Sequence, residues 1–157
     1  MSALLTAIVR FMSFGSGISG LSDASHLRFK RVWVSLGVLL ICMILVLSLI
    51  NLAPIEGVLL QDKIIHFLAY GLLMGWFAQI CRHHLARFLL VLALVAMGVL
   101  VEYLQGLVNY RQFDYIDMLA NASGIVVAWA LSYTWMGRIL VGIERLITRA
   151  WPPSLTL

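Results

Sequence analysis

Four long apolar runs, with most of the ionisable residues held to their ends, restrict what this chain can become more than anything else in its sequence. They cover residues 32–52, 64–80, 88–108 and 116–135. Crossing the hydrocarbon core of a bilayer as a helix takes about 20 apolar residues. The first run carries no charge. The second has only His66 and Gln79 as strongly polar residues and reaches spanning length when extended back to Gln61. The third contains Glu102 and Gln105, and the fourth contains Asp117 and Asn121 near its start. A hydrophobic content of 62%, against about 45–50% in a soluble domain, excludes a soluble globular protein. The expected fold is all-α: an integral membrane bundle of four transmembrane helices joined by short connections, so that neighbours run antiparallel.

The basic residues predict an orientation. Arg10, Arg28, Lys30 and Arg31 precede the first span, Arg82 and Arg87 separate the second from the third, and Arg138, Arg145 and Arg149 follow the fourth. Only Lys63 and Arg111 remain for the other side. Lys and Arg are retained on the cytoplasmic side, so both termini are expected there and the polar cluster on the outside. Basic loops beside an anionic leaflet account for the net charge of +4 without nucleic acid, and the expected partner is the lipid bilayer.

Three regions follow. Residues 1–31 form a cytoplasmic or interfacial flank, with a short apolar stretch at 4–12 interrupted by Arg10 and no clean signal-peptide cleavage site. Residues 32–135 hold the four-helix domain, its first helix stopped by Pro54 and its second by Arg82, His83 and His84. Residues 136–157 form a basic tail in which Ile139, Leu140, Ile143, Leu146 and Ile147 recur at helical spacing opposite Arg138, Arg145 and Arg149. That pattern predicts an amphipathic interfacial helix ended by Trp151, Pro152 and Pro153. Cys42 and Cys81 fall at different depths and are expected to stay unpaired. Trp33, Tyr133 and Trp135 are expected at the inner interface, and Tyr103, Tyr110 and Tyr115 at the outer one.

Polar side chains within the runs are the functional candidates. A charge near the middle of a membrane helix costs roughly 2.5–3.5 kcal/mol, so one that is present has a partner or a task. Asp62, His66 and Tyr70 recur at i, i+4 and i+8 and share a helix face, with Lys63 beside them. Glu102 lies about 9 Å below the end of the third run, at 1.5 Å per residue; Gln105 and Asn109 continue its face. An isolated carboxylate at that depth takes up a proton or finds a cation. Asp117, Asn121, Gly124 and Ala128 line one face of the last helix, where a polar stripe gives way to small residues suited to close packing. Gly71 and Gly75 form a similar small pair in the second. Asp114 is placed to cap the last helix, and Arg111, just before it, is within reach of these carboxylates or of a phosphate. Each has a bland reading beside the functional one: Lys63 snorkelling to headgroups, His66 packing, Asp114 capping, Glu102 bridging helices.

The succession Asp62-Lys63-x-x-His66-Phe67, then Glu102-x-x-Gln105, then Arg111-x-x-Asp114-x-x-Asp117-x-x-x-Asn121-x-x-Gly124 resembles the signature of VanZ-like membrane proteins. The resemblance runs over residues 62–131. It implies a small bacterial multi-pass protein of about four helices in the cytoplasmic (inner) membrane, and a link to susceptibility to the glycopeptide teicoplanin. It implies no particular reaction, substrate or cofactor.

Enzyme motifs give little support to known intramembrane chemistries. The Gly15-Ser16-Gly17 stretch is in the wrong region for a rhomboid-type nucleophile, and His83 and His84 are expected on the opposite side from His66, unlike a histidine-type lipid phosphatase. There is no Gly-rich phosphate loop, zinc-spaced Cys/His set or HExxH. Three readings stay open. In the first, a pocket of Asp62, Lys63, His66, Tyr70, Glu102, Gln105, Arg111, Asp114, Asp117 and Asn121 binds or shields a polar or anionic envelope headgroup, such as a lipid-linked precursor. In the second, an intramembrane hydrolase or transferase uses His66, Glu102 and Asp117, with a divalent cation as a candidate cofactor. In the third, the polar groups only lock the bundle or meet a partner protein.

Overall fold

A computed structural model describes residues 27–49, 61–81, 83–107 and 113–150. All regular structure among them is helical: α1 (Lys30–Leu49), α2 (Gln61–Ile80), α3 (His84–Gly106), α4 (Tyr115–Leu131), a 3-10 turn (Trp135–Arg138) and α5 (Ile139–Ala150). α1, α2 and α3 are each long and apolar enough to cross a membrane. α4 has 17 residues, and counts as a fourth crossing when joined to Trp135–Ala150, from which it bends by 77°. The expectations for Arg10 and the rest of the 1–26 flank, and for Pro54, Arg82, Asn109, Tyr110, Arg111 and the Trp151-Pro152-Pro153 stop, fall outside the described residues.

α2 lies at the centre of the bundle, packed against α1, α3 and above all α4. Its inward face buries Tyr70, Leu73, Met74, Phe77 and Ala78, against which Val34 and Ile44 of α1, Leu94 of α3 and Ile125 of α4 close the core. Large apolar side chains such as Leu39, Leu68, Leu100 and Leu119 point away from the bundle and are more than half exposed. This is the surface expected of helices surrounded by lipid tails, where interior packing draws on shape rather than on escape from water.

The close approach of α2 and α4 depends on small residues. A side-chain carbon added at Gly124 would run into the backbone carbonyl of Phe67. One added at Gly71 would stand 3.3 Å from the Gly124 carbonyl oxygen, and one at Gly75 would make an ordinary 4.0 Å contact with Ala128. The seam therefore tightens toward the end of the bundle that carries Asp62, Glu102 and Asp114.

At the opposite end, α5 is tied to the start of α1. Glu144 is buried and accepts hydrogen bonds from the backbone N–H groups of Arg28 (2.6 Å) and Phe29 (2.8 Å) and from Trp33 Nε1 (2.7 Å). It serves as a cap supplied by a distant segment, satisfying N–H groups that precede the first turn of α1. Gln79 Oε1 accepts from the Leu140 N–H at 2.9 Å, fixing α5 to the end of α2. α5 buries Leu140 and Glu144 while Leu146 and Ile147 stay exposed beside its arginines. Cys42 and Cys81 are unpaired, and burial pushes the Cys81 thiol up to about 11.

Several boundaries differ from the sequence expectation; α3, for one, begins at His84 rather than at residue 88. α1 starts at Lys30 rather than at residue 32 because Glu144, far along the chain, satisfies the N–H groups ahead of it. The fourth helix ends at Leu131 rather than at residue 135. The Ser132 hydroxyl bonds to the Trp129 carbonyl at 2.6 Å and Thr134 to the Leu131 carbonyl at 2.7 Å, side-chain-to-backbone bonds that compete with continuing the helix.

Candidate functional site

The start of α2, the end of α3 and the start of α4 meet at one end of the bundle, which brings their polar residues together. α4 begins with Asp114 as its N-cap: Oδ1 accepts from the Ile116 N–H at 2.8 Å, and the residue itself keeps an extended backbone. Its other oxygen, Oδ2, is 2.6 Å from Lys63 Nζ. The same ammonium forms an ion pair with Asp117 Oδ1 at 2.7 Å. One lysine thus bridges α2 to two carboxylates of α4. The Lys63 ammonium, and then the Ile116 N–H, hold the Asp114 carboxyl below the usual carboxylate range.

His66, one turn deeper, is held from both sides. Its Nδ1 lies 3.1 Å from Asn121 Oδ1. The direction of this hydrogen bond follows the histidine tautomer: Nδ1 donates to the amide oxygen when it carries the ring proton. The other nitrogen, Nε2, faces three carboxylates: Asp62 Oδ1, Glu102 Oε1 and Asp117 Oδ2, each at 3.8 Å. His66, Glu102, Asp117 and Asn121 are all buried, Glu102 to the point of 1% exposure, while Asp62 sits at the open edge. Glu102 Oε1 has no hydrogen-bond partner. Neither do the Tyr70 hydroxyl, just below it in the core, and Asn121 Nδ2. A buried polar atom without a partner costs about 1–3 kcal/mol, more when charged. Three such atoms, on side chains that converge with His66, are open to a further hydrogen-bond partner.

Four carboxylates, those of Asp62, Glu102, Asp114 and Asp117, therefore surround one ammonium and one imidazole. The group carries a surplus of negative charge and can attract a cation, hold a proton, or orient hydroxyl and amino donors of a ligand.

Asp62, Lys63, His66, Tyr70, Glu102, Asp114, Asp117 and Asn121 converge at this end. Gln105 is buried there too, but its Nε2 donates to the Ser48 carbonyl at 2.6 Å, tying α3 to the last turn of α1. Gly98, which sequence reasoning passed over, lies one turn below Glu102 and makes room for the site floor: a side-chain carbon there would come within 3.3 Å of Asn121 Nδ2 and 3.4 Å of the Tyr70 ring. Its spacing of four from Glu102 was the available signal. Ser48 offered none, because it contributes only a backbone oxygen.

No family model and no solved structure matches the chain. An uncharacterized protein of the fission yeast Schizosaccharomyces pombe is 27% identical over 107 residues, a stretch covering 66% of each chain. The chain is thus similar, over just under two thirds of the relative's length, to a eukaryotic protein whose name assigns no activity.

Proposed function

We propose that this is a VanZ-like integral membrane protein whose outward-facing polar pocket binds or shields a polar or anionic headgroup of the cell envelope. In this reading the four helices cross the membrane, both termini are cytoplasmic, and α5 lies along the inner surface with its arginines toward anionic lipid. The bacterial cytoplasmic membrane and the link to teicoplanin susceptibility rest on the motif resemblance alone. The observation that carries the binding role is Glu102: a carboxyl at 1% exposure whose Oε1 has no hydrogen-bond partner and faces His66 across 3.8 Å. Lys63 supports it from the rim. Two contacts engage this ammonium, which has three N–H groups, leaving one to meet a phosphate oxygen. Arg111, three residues before the same cap in sequence, lies outside the described residues.

A hydrolase or transferase acting on a lipid-linked substrate is the second reading. It draws on the same imidazole, whose Nε2 is flanked by Glu102 and Asp117 as an acid–base pair would require.

Two measurements test the proposal. Reporter fusions after Ala86 and Ala150 should read cytoplasmic and a fusion after Leu107 external; a cytoplasmic reading at Leu107 would turn the site away from the envelope. Native mass spectrometry of protein released from bilayers should show a bound lipid with a phosphorylated polar headgroup. Release without any such lipid would count against headgroup binding.

A further inference from the structure

We propose that Asp62, His66, Glu102 and Asp117 form a binding site for one divalent transition-metal ion of the zinc or manganese type. Three features of the site support it. His66 Nε2 stands 3.8 Å from an oxygen of each of the three carboxylates, and the Asp62, His66 and Asp117 donor atoms all lie within 4.8 Å of one another. Donors bound tetrahedrally at about 2.0–2.2 Å from zinc sit roughly 3.4 Å apart, so each carboxylate oxygen must move about 0.4 Å closer to Nε2, and those of Asp62 and Asp117 must close on one another from at most 4.8 Å.

The second feature is the orientation of the imidazole. In the tautomer in which Nδ1 donates to Asn121 Oδ1, Nε2 is left to face the carboxylates as a metal donor. Metal-binding histidines are fixed in this way by a hydrogen bond from the other nitrogen. The third is Glu102, whose buried oxygen is aimed at this centre and has no hydrogen-bond partner. Lys63 occupies Asp117 Oδ1 and Asp114 Oδ2, which leaves Asp117 Oδ2 for the ion and keeps Asp114 out of the ligand set. One imidazole with carboxylates suits zinc or manganese better than calcium or magnesium, which favour all-oxygen surroundings.

The ion deepens the headgroup reading and, in its role, rests on it. A divalent cation offsets the surplus negative charge, and a fifth position beyond the four protein donors would take a phosphate oxygen. The ligands themselves can be tested without any lipid.

The test uses the full chain in detergent, stripped with a chelator and then titrated with Zn2+ alone and Mn2+ alone, with bound metal counted by elemental analysis. Wild type should bind about one ion per chain. Glu102→Gln, nearly isosteric, and Asp62→Asn, at the exposed edge, should each weaken binding by at least tenfold, and Asn121→Ala by about 10–100-fold through the histidine. Glu144→Gln, at the far end of the bundle, should bind as wild type does. No stoichiometric ion in wild type, or equal affinity in wild type and both carboxylate variants, would overturn the site. A separate arm measures retention of a phosphorylated lipid with and without chelator. Loss of that lipid from metal-loaded wild type would sink the headgroup reading while leaving the metal site standing.

Discussion

Replacing Lys63 with methionine is expected to lower the stability of the bundle by about 2–3 kcal/mol, because it leaves Asp114 and Asp117 facing one another without their shared cation. Breaking a buried pair by removing one partner costs about 3–5 kcal/mol. The expected loss falls below that range because the Lys63 and Asp114 side chains are a quarter to a third exposed and solvent screens their pair. Asp117, at 6%, is the member that suffers. Adding Asp117→Asn should restore much of the loss, since removing both charges eliminates the stranded one. Thermal unfolding in detergent of the single and double variants measures this. A double variant no more stable than Lys63→Met would show that the bridge is not what joins α2 to α4.

Among the glycines of the α2–α4 seam, Gly124→Ala should be the most damaging change of a single methyl group. The new carbon meets the Phe67 carbonyl, a backbone atom that cannot rotate away, so α2 and α4 must separate. Overpacking costs about 1–3 kcal/mol, and a rigid neighbour places this site toward the upper end. Separation also pulls His66, next to Phe67, away from Asn121, one turn from Gly124, so ligand binding should fall together with stability. The added carbon has more room at Gly71 and meets only ordinary contact at Gly75. The expected order of harm is therefore Gly124 above Gly71 above Gly75. Equal melting temperatures for Gly75→Ala and Gly124→Ala would contradict the close seam.

Much of this arrangement was legible because both periodicity and cost act locally. Apolar run length announces membrane helices, and the scarcity of charge within the runs makes Asp62, His66, Glu102, Asp117 and Asn121 conspicuous. Helical spacing then puts Asp62 with His66, and Asp117 with Asn121 and Gly124, on common faces. Asp114 could be read as a cap from its position alone, but that its second oxygen takes Lys63 depends on how α2 and α4 are set side by side. The remainder came from contacts between distant segments. Nothing in the local pattern of the basic C-terminal helix singles out Glu144, yet it caps α1 from more than a hundred residues away. Gln105 shares the face of Glu102 but finds a backbone carbonyl of α1, a partner no side-chain pattern reveals. The early end of α4 depends on Ser132 and Thr134 turning back on the helix, a choice their side chains make only in the folded surroundings.

Glu102→Gln gives the most direct test of whether the polar end is a binding site or only a brace. The amide keeps the size of the side chain and removes its charge. If Glu102 is there to engage a ligand, the variant should unfold at the same temperature as wild type or slightly higher, because the charge on a buried carboxyl whose Oε1 has no hydrogen-bond partner is removed, while retention of the phosphorylated headgroup lipid is lost. Melting temperature and lipid retention, read on the same preparation, separate the two roles. A variant that melts normally and retains the lipid as wild type does would contradict the account.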